Sequence, residues 1–385
     1  MFVFFKHFIA PLLSITICST GSSLLTTLLI VKMGQFGLPA SMIGMLTTSF
    51  FLGYILGALY LETFILRVGY IRAYTTFACI LTVVAGLHGL PLNPVLWLPL
   101  RFIYGACTVG IFIVIESWIL QSAGKEKRGQ VLAIFMLCLY GAQASGQLFF
   151  RICSLNSVTP LLLIALAIAL SIFPMTTTHL RQPAFSHAAI FGIKKLFALS
   201  PSGFLGCFGG GLILGSLHGL LPISLKSLEF TNEEMALILC FIFLGGMSLQ
   251  YPFGRLSDHW NRKYVLLGSY TGAIFFSGLL FWALKIDIPS YLLVVLPAAF
   301  MIGGFFFTLF PLSMNYTCDF LTESQVVPAT AGLLVAYSAG AAAGPFIAPF
   351  FMNIFGPIGL FVFFSTTAVS VIIFVLQYRP TLRPL

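Results

Sequence analysis

Charge is what this sequence has least of. Only 8% of its 385 residues are Asp, Glu, Lys or Arg, whereas a soluble domain carries about 25%, so water is not the solvent of this fold. Acidic residues are scarcer still: ten, against nineteen Lys and Arg, leave a net charge of +9. No GxxxxGK[ST] loop is present to hold ATP, and no His, Cys and carboxylate cluster has metal-ligand spacing. None of the eight cysteines (18, 79, 107, 138, 153, 207, 240 and 318) forms a CxxC pair, so they read as small core residues without a disulfide or zinc framework. No connection is long enough for a separate soluble domain. These absences exclude an ordinary soluble enzyme and leave no nucleotide to drive work.

What is present is apolar length. The chain is 59% hydrophobic with 41 Phe and a mean hydropathy of +1.04. Crossing about 30 Å of hydrocarbon at 1.5 Å per residue takes roughly 20 apolar residues. Runs of that length occur at about 9–31, 41–64, 73–90, 95–120, 131–150, 158–176, 203–225, 235–253, 264–284, 289–315, 327–351 and 356–378, which predicts an all-α integral membrane fold of twelve helices. The first run is too long for a signal peptide and reads as the first helix. The turn from Gly89 to Pro94 is the weakest boundary, because a Pro-containing turn can also be a kink.

The excess positive charge is explained by topology. With the N-terminus inside, fourteen Lys and Arg (6, 67, 72, 125, 127, 128, 181, 194, 195, 255, 262, 263, 379 and 383) fall in cytoplasmic segments. Four, Lys32, Arg151, Lys226 and Lys285, fall on the opposite side, and only Arg101 lies within a helix. Positive residues stay on the cytoplasmic side, so both termini are expected there, in the cytoplasmic (inner) membrane. The charge is then an insertion code, and no nucleic acid partner is expected.

The basic connection near 179–200 falls at the midpoint and divides the chain into expected bundles 1–178 and 201–385. An internal repeat supports the division. Phe51-Leu52-Gly53 recurs as Phe243-Leu244-Gly245 at a shift of 192; Gly21-Ser22, Lys32 and Phe36 recur as Gly215-Ser216, Lys226 and Phe230 at 194. Leu98-Pro99, Phe102, Gly105 and Gly146 recur as Leu296-Pro297, Phe300, Gly303 and Gly344 at 198. The conserved order and slow drift point to two six-helix halves of one pseudo-symmetric fold.

After the eighth run comes Gly254-Arg255-Leu256-Ser257-Asp258-His259-Trp260-Asn261-Arg262-Lys263. This resembles the loop signature G-x-L-a-D-r-x-G-r-r of the major facilitator superfamily, with Gly254, Leu256, Asp258, Arg262 and Lys263 matching. Asn261 replaces the second Gly, and Asn is the non-Gly residue that best tolerates positive φ. The resemblance implies that Asp258 meets the N-terminal end of a helix of the other half, by pseudo-symmetry the fifth, near Gln130. The first-half loop keeps Arg67, Gly69 and Arg72 but has Leu66 in place of the Asp and Glu62 in place of the first Gly. Both loops can alternatively serve only as topology anchors.

Arg101-Phe102-Ile103-Tyr104-Gly105 resembles the same family's R-x-x-x-G pattern in the fourth helix. A mid-membrane Arg costs roughly 2.5 to 3.5 kcal/mol, so it should face a cavity, binding an anionic group or coupling to protonation; the alternative is snorkelling to headgroups. Glu116, fifteen residues on and about 22 Å away, cannot pair with it. It suits a cytoplasmic basic partner such as Lys125, Arg128 or Arg72, or a proton-carrying role. His218 could carry a proton or sit buried, bonded to a neighbour. Gln143, Gln147, Asn315 and Tyr337 could line a solute path or bridge helices. Gly340-x-x-x-Gly344-Pro345 looks like the superfamily's antiporter motif displaced to the eleventh helix, or a close-packing seam between halves.

The segment from Glu116 to Gln147 is most similar to the YcaD-like bacterial subgroup, and the resemblance covers nearly the whole chain. It implies a secondary transporter that moves a small-molecule solute by alternating access, with H+ coupling open, without cofactor or metal, and as a monomer. The competing class is a sensor or scaffold that keeps the fold without transport. Substrate and direction are not written in the sequence.

Overall fold

A computed structural model describes residues 2–90, 93–122, 128–153, 157–178, 193–285, 292–321 and 323–378. Lys125, Lys127, Arg181, Arg379, Arg383 and most of the midpoint connection lie outside them, as do the side chains of Lys6, Arg128, Lys194 and Lys195.

In chain order the helices are α1 (Phe2–Gln35), α2 (Ala40–Val68), α3 (Tyr70–Leu87), a 3₁₀ turn (Pro94–Leu96), α4 (Trp97–Ser122), α5 (Arg128–Arg151), α6 (Thr159–Leu170), α7 (Ile172–Thr176), α8 (Ile193–Leu199), α9 (Pro201–Ser227), α10 (Asn232–His259), α11 (Arg262–Lys285), α12 (Leu292–Cys318), α13 (Glu323–Phe355) and α14 (Gly359–Gln377). Among the described residues twelve spans are long and apolar enough to cross a membrane, with α6 and α7 forming the sixth. Each coincides with one apolar run. A bilayer core offers no water to unpaired backbone groups, so the chain crosses as helix and turns outside. The doubtful turn separates two helices: α3 stops at Leu87, and Asn93 caps the 3₁₀ turn by accepting from the Val95 N–H at 3.0 Å. Thr231 and Glu234 form a reciprocal capping box at the start of α10.

The chain divides into two compact units. The first comprises residues 1–37 and 49–186, and the second 38–48 and 187–385. Thus the opening turns of α2 group with the second unit, where Thr48 Oγ1 donates to the Ala342 carbonyl at 2.8 Å.

Inside each unit the helices close on glycine. In the first, the space a Cβ would fill at Gly53 holds the Phe102 carbonyl, and the space at Gly105 holds the Phe50 carbonyl, so α2 and α4 cross backbone to backbone. In the second, Gly245 faces the Phe300 carbonyl and Gly303 the Ile242 carbonyl, which crosses α10 and α12 in the same way. These are the repeat positions at shifts of 192 and 198. Lipid tails are as apolar as leucine, so helices associate through close packing rather than hydrophobic burial, and small residues at crossings permit it.

Gly53→Val and its counterpart Gly245→Val should each destabilise the detergent-solubilised protein by about 1–3 kcal/mol or more, because neither carbonyl can retreat. Gly278→Ala, which adds its methyl to open space, should leave the melting temperature unchanged or slightly raised.

Candidate functional site

In the first unit Arg101 lies one turn into α4 and is 1% exposed. Its Nη2 donates to Thr26 Oγ1 at 3.2 Å, and its Cζ lies 4.8 Å from the Phe50 ring centroid and 5.3 Å from that of Tyr104. Helices α1, α2 and α4 thus enclose it, and snorkelling to headgroups is not what this side chain does. Glu116 is exposed near the other end of α4 and has no ion pair among the described residues. Arg72, one of its expected partners, is exposed to solvent or lipid, while the side chains of Lys125 and Arg128 lie outside the described residues.

Gln147 is consumed by helix pairing. Its Oε1 accepts from Thr27 Oγ1 at 2.9 Å and its Nε2 donates to Ser23 Oγ at 2.7 Å, while Ser23 donates to the Gln143 carbonyl at 3.0 Å. These bonds tie α5 to α1 as interhelical glue.

The loop joining α2 to α3 shows why Gly69 stands where it does: its φ is +86°, and it opens α3. The corresponding residue in the second unit, Asn261, is not at positive φ, because Glu229 is the non-glycine residue in that region among the described residues. The expected glycine-like turn is therefore corrected: Asn261 Oδ1 accepts from the Lys263 N–H at 3.0 Å and caps α11. Gly254 sits within α10 with open space around it.

Arg262 carries the charge geometry of the second unit. It donates to Asp319 Oδ1 at 2.7 Å and to the Asn315 carbonyl at 2.9 Å, whereas Asp258 stands 3.8 Å away with a side chain 64% exposed. The strong partner is Asp319, which the motif does not contain. Desolvation raises its carboxyl above the usual range, and the Arg262 charge opposes the rise. In the first unit the same two repeat positions are Tyr70 and Gln121, at shifts of 192 and 198. There Gln121 Nε2 donates to the Tyr70 hydroxyl at 3.0 Å. The helix contact is thus built twice, neutral in one unit and ionic in the other, and among the described residues Glu62, Arg67 and Arg72 form no ion pair.

Also in the second unit, His218 is half-buried, with Nδ1 donating to the Leu214 carbonyl at 2.7 Å and its ring 5.7 Å from Phe243 and 5.9 Å from Phe307. The Tyr337 ring packs against that of Phe310, tilted by 53° with centroids 4.9 Å apart. Gly340 and Gly344 receive the Phe208 and Leu212 carbonyls of α9, while Gly211 and Gly215 receive those of Tyr337 and Ala341. This seam joins α13 to α9 inside the second unit, and Pro345 sits within it against Gly44.

A family model described as Major Facilitator Superfamily matches residues 12–324 and 200–385. The chain belongs to the major facilitator superfamily. It is 27% identical over 382 residues to the uncharacterized MFS-type transporter YcaD of Salmonella paratyphi A, covering 98% of this chain and 97% of that one. It is 28% identical over 360 residues to YcaD of Salmonella enteritidis PT4, covering 92% and 91%. The fold matches the crystal structure of nucleoside transporter NupG with a TM-score of 0.76 at 12% identity, covering 98% and 100%. A D-xylose-proton symporter matches equally, with a TM-score of 0.76 at 13% identity, covering 99% and 98%. This superfamily chain is a multi-pass membrane transporter with twelve spans in two pseudo-symmetric six-helix bundles.

Within that fold, sequence reasoning found Arg262 but missed Asp319, Tyr70 and Gln121. Asp319 is one of only ten acidic residues in the chain, and that scarcity is the signal that singles it out.

Double-mutant cycles should give a coupling of roughly 1 kcal/mol for Arg262 with Asp319, and about 0.3 kcal/mol for Arg262 with the exposed Asp258. The first coupling should fade as acid titrates Asp319, at a pH above the usual carboxylate range. A Tyr70–Gln121 cycle should show no such fading over the same interval.

Proposed function

We propose that this superfamily member is a secondary transporter moving a small-molecule solute across the cytoplasmic membrane by alternating access, with both termini on the cytoplasmic side. The observation that carries the reading is the two-unit fold, which matches solved solute transporters over nearly their whole length. The sequence offers no nucleotide-binding loop, so the driving force is the solute's own gradient or a coupled ion such as H+. The basic residues gathered in alternate connections support the orientation.

Arg101 is the residue through which this unit contacts solute. Glu116 and His218 are the titratable candidates for coupling, and Gln143, Gln147, Asn315 and Tyr337 shape the helix surfaces around the path. The Asp258, Arg262, Lys263 and Asp319 group, with Gly254 at its start, biases the conformational equilibrium. Its counterpart at Glu62, Arg67, Gly69 and Arg72 holds a neutral contact through Tyr70. Charge and helix-terminus contacts contribute roughly 0.3–2 kcal/mol each, enough to shift a two-state population without locking it. Gly340, Gly344 and Pro345 serve close packing and a bend in α13.

The test is flux. Purified protein in proteoliposomes should move a solute found by thermal-shift screening of metabolite libraries, measured at two external pH values. Flux that changes with the imposed proton gradient supports H+ coupling, and flux that does not change excludes it. Saturable binding without movement of any hit across the membrane would reject the transporter reading. Asp319→Asn should alter the conformer ratio seen by accessibility labelling, and an unchanged ratio would remove the charge group from gating.

A further inference from the structure

Arg101 differs from the other unpartnered buried polar groups of the first unit, on Ser14, His88, Trp97 and Gln121, in carrying a full charge. Its Nε and Nη1 are shielded from solvent and have no hydrogen-bond partner, and no carboxylate of the described residues lies within 4 Å. Thr26 cannot do more for it: its own proton goes to the Ser22 carbonyl at 3.0 Å, and the hydroxyl accepts only from Nη2. Four residues earlier on α4, Trp97 is 3% exposed and its Nε1 also lacks a partner. The His88 ring lies 5.9 Å from the Trp97 ring and donates Nδ1–H to the Val84 carbonyl at 2.6 Å. A buried guanidinium held by one hydrogen bond and two ring faces, without a counter-charge among the described residues, is costly to keep. None of the carboxylates among the described residues offsets that charge.

The fold does not need the charge. At the repeat position in α12 stands Ala299, with Ile242, Ile302 and Leu220 in place of Phe50, Tyr104 and Thr26, all buried. The reciprocal glycine contacts there are the same. One crossing is therefore built from hydrocarbon alone, and the other carries a cation that its packing does not use.

We propose that Arg101 and Trp97 form an occluded subsite for a small organic monocarboxylate, the solute's anionic end. This rests on the transporter reading and names its substrate class. The rings of Phe50 and Tyr104 lie against the guanidinium, while its edges keep free donors, and a planar carboxylate matches donors along a guanidinium edge. One guanidinium balances one negative charge. Burial and the nearby Arg101 charge lower His88 to about 4, against the effect of its Val84 bond, so it adds no second cation at neutral pH. Enclosure by three helices favours a free solute over a lipid headgroup.

The experiment uses the full chain in phosphatidylcholine nanodiscs. Acetate, butyrate, hexanoate and benzoate are titrated beside their primary amides at constant ionic strength, with thermal stability and tryptophan fluorescence as readouts. At least one carboxylate should bind saturably and at least tenfold more tightly than its amide. Arg101→Ala, which installs the residue the second unit already uses, should remove at least tenfold of that affinity, and Trp97→Phe about threefold. Equal binding of acid and amide, binding indifferent to Arg101→Ala, or stabilisation only by added phosphatidylglycerol would each overturn the proposal. If Arg101→Ala does not fold, the wild-type acid and amide comparison together with Trp97→Phe decides. Flux separates this idea from the one it rests on. A carboxylate that binds through Arg101 but is not moved sinks the transporter reading alone, whereas movement of a neutral solute unaffected by Arg101→Ala sinks the subsite alone.

Discussion

Two helices can cross at backbone distance only where each lacks a side chain at the other's carbonyl, and this constraint is met twice in the same form. Gly53 and Gly105 admit the carbonyls of Phe102 and Phe50, and Gly245 and Gly303 admit those of Phe300 and Ile242. In lipid the hydrophobic effect does not press helices together, so such contacts, with the dispersion and Cα–H···O interactions they allow, hold a unit closed. The first crossing also sets the position of Phe50 against Arg101. Shift that contact by a methyl group and the ring moves with the backbone.

The two units solve the next contact differently. In the first, α5 joins α1 through Gln147, Ser23 and Thr27. At the corresponding positions of the second stand Pro345, Leu217 and Leu221. There α13 joins α9 through interleaved glycines that bring carbonyls into the gaps left by missing side chains. Interhelical hydrogen bonds in membranes average about 0.6 kcal/mol, so replacing them with tighter packing is nearly neutral. The fold tolerates either solution.

This explains which parts were legible in the sequence. The twelve spans were, because bilayer thickness imposes a length that composition reveals. The repeat was, because glycines at crossings cannot drift. Asn261 was misread because its side chain's acceptor, invisible to a φ argument, made it a helix cap. Asp319 escaped because a motif records neighbours in sequence, while its partner Arg262 lies 57 residues away. For Gln147 the sequence left path lining and helix bridging both open, since it cannot distinguish an amide facing a solute from one facing α1.

A duplicated fold allows demands of packing to be separated from other demands. Residues kept at both copies of a contact, such as the crossing glycines, are ones the architecture needs. An ionisable residue present in one copy, opposite an apolar counterpart, is not one that the shared architecture needs. Arg101 stands opposite Ala299, Glu116 opposite Met314, His218 opposite Leu24 and Asp258 opposite Leu66. A membrane charges several kcal/mol for an ionisable group at depth, and the apolar copy shows that the crossing at Arg101 forms without one. No carboxylate of the described residues offsets the cost at Arg101, and this is the ground of the proposed anion subsite. Its bare donors say which sign of charge that subsite takes.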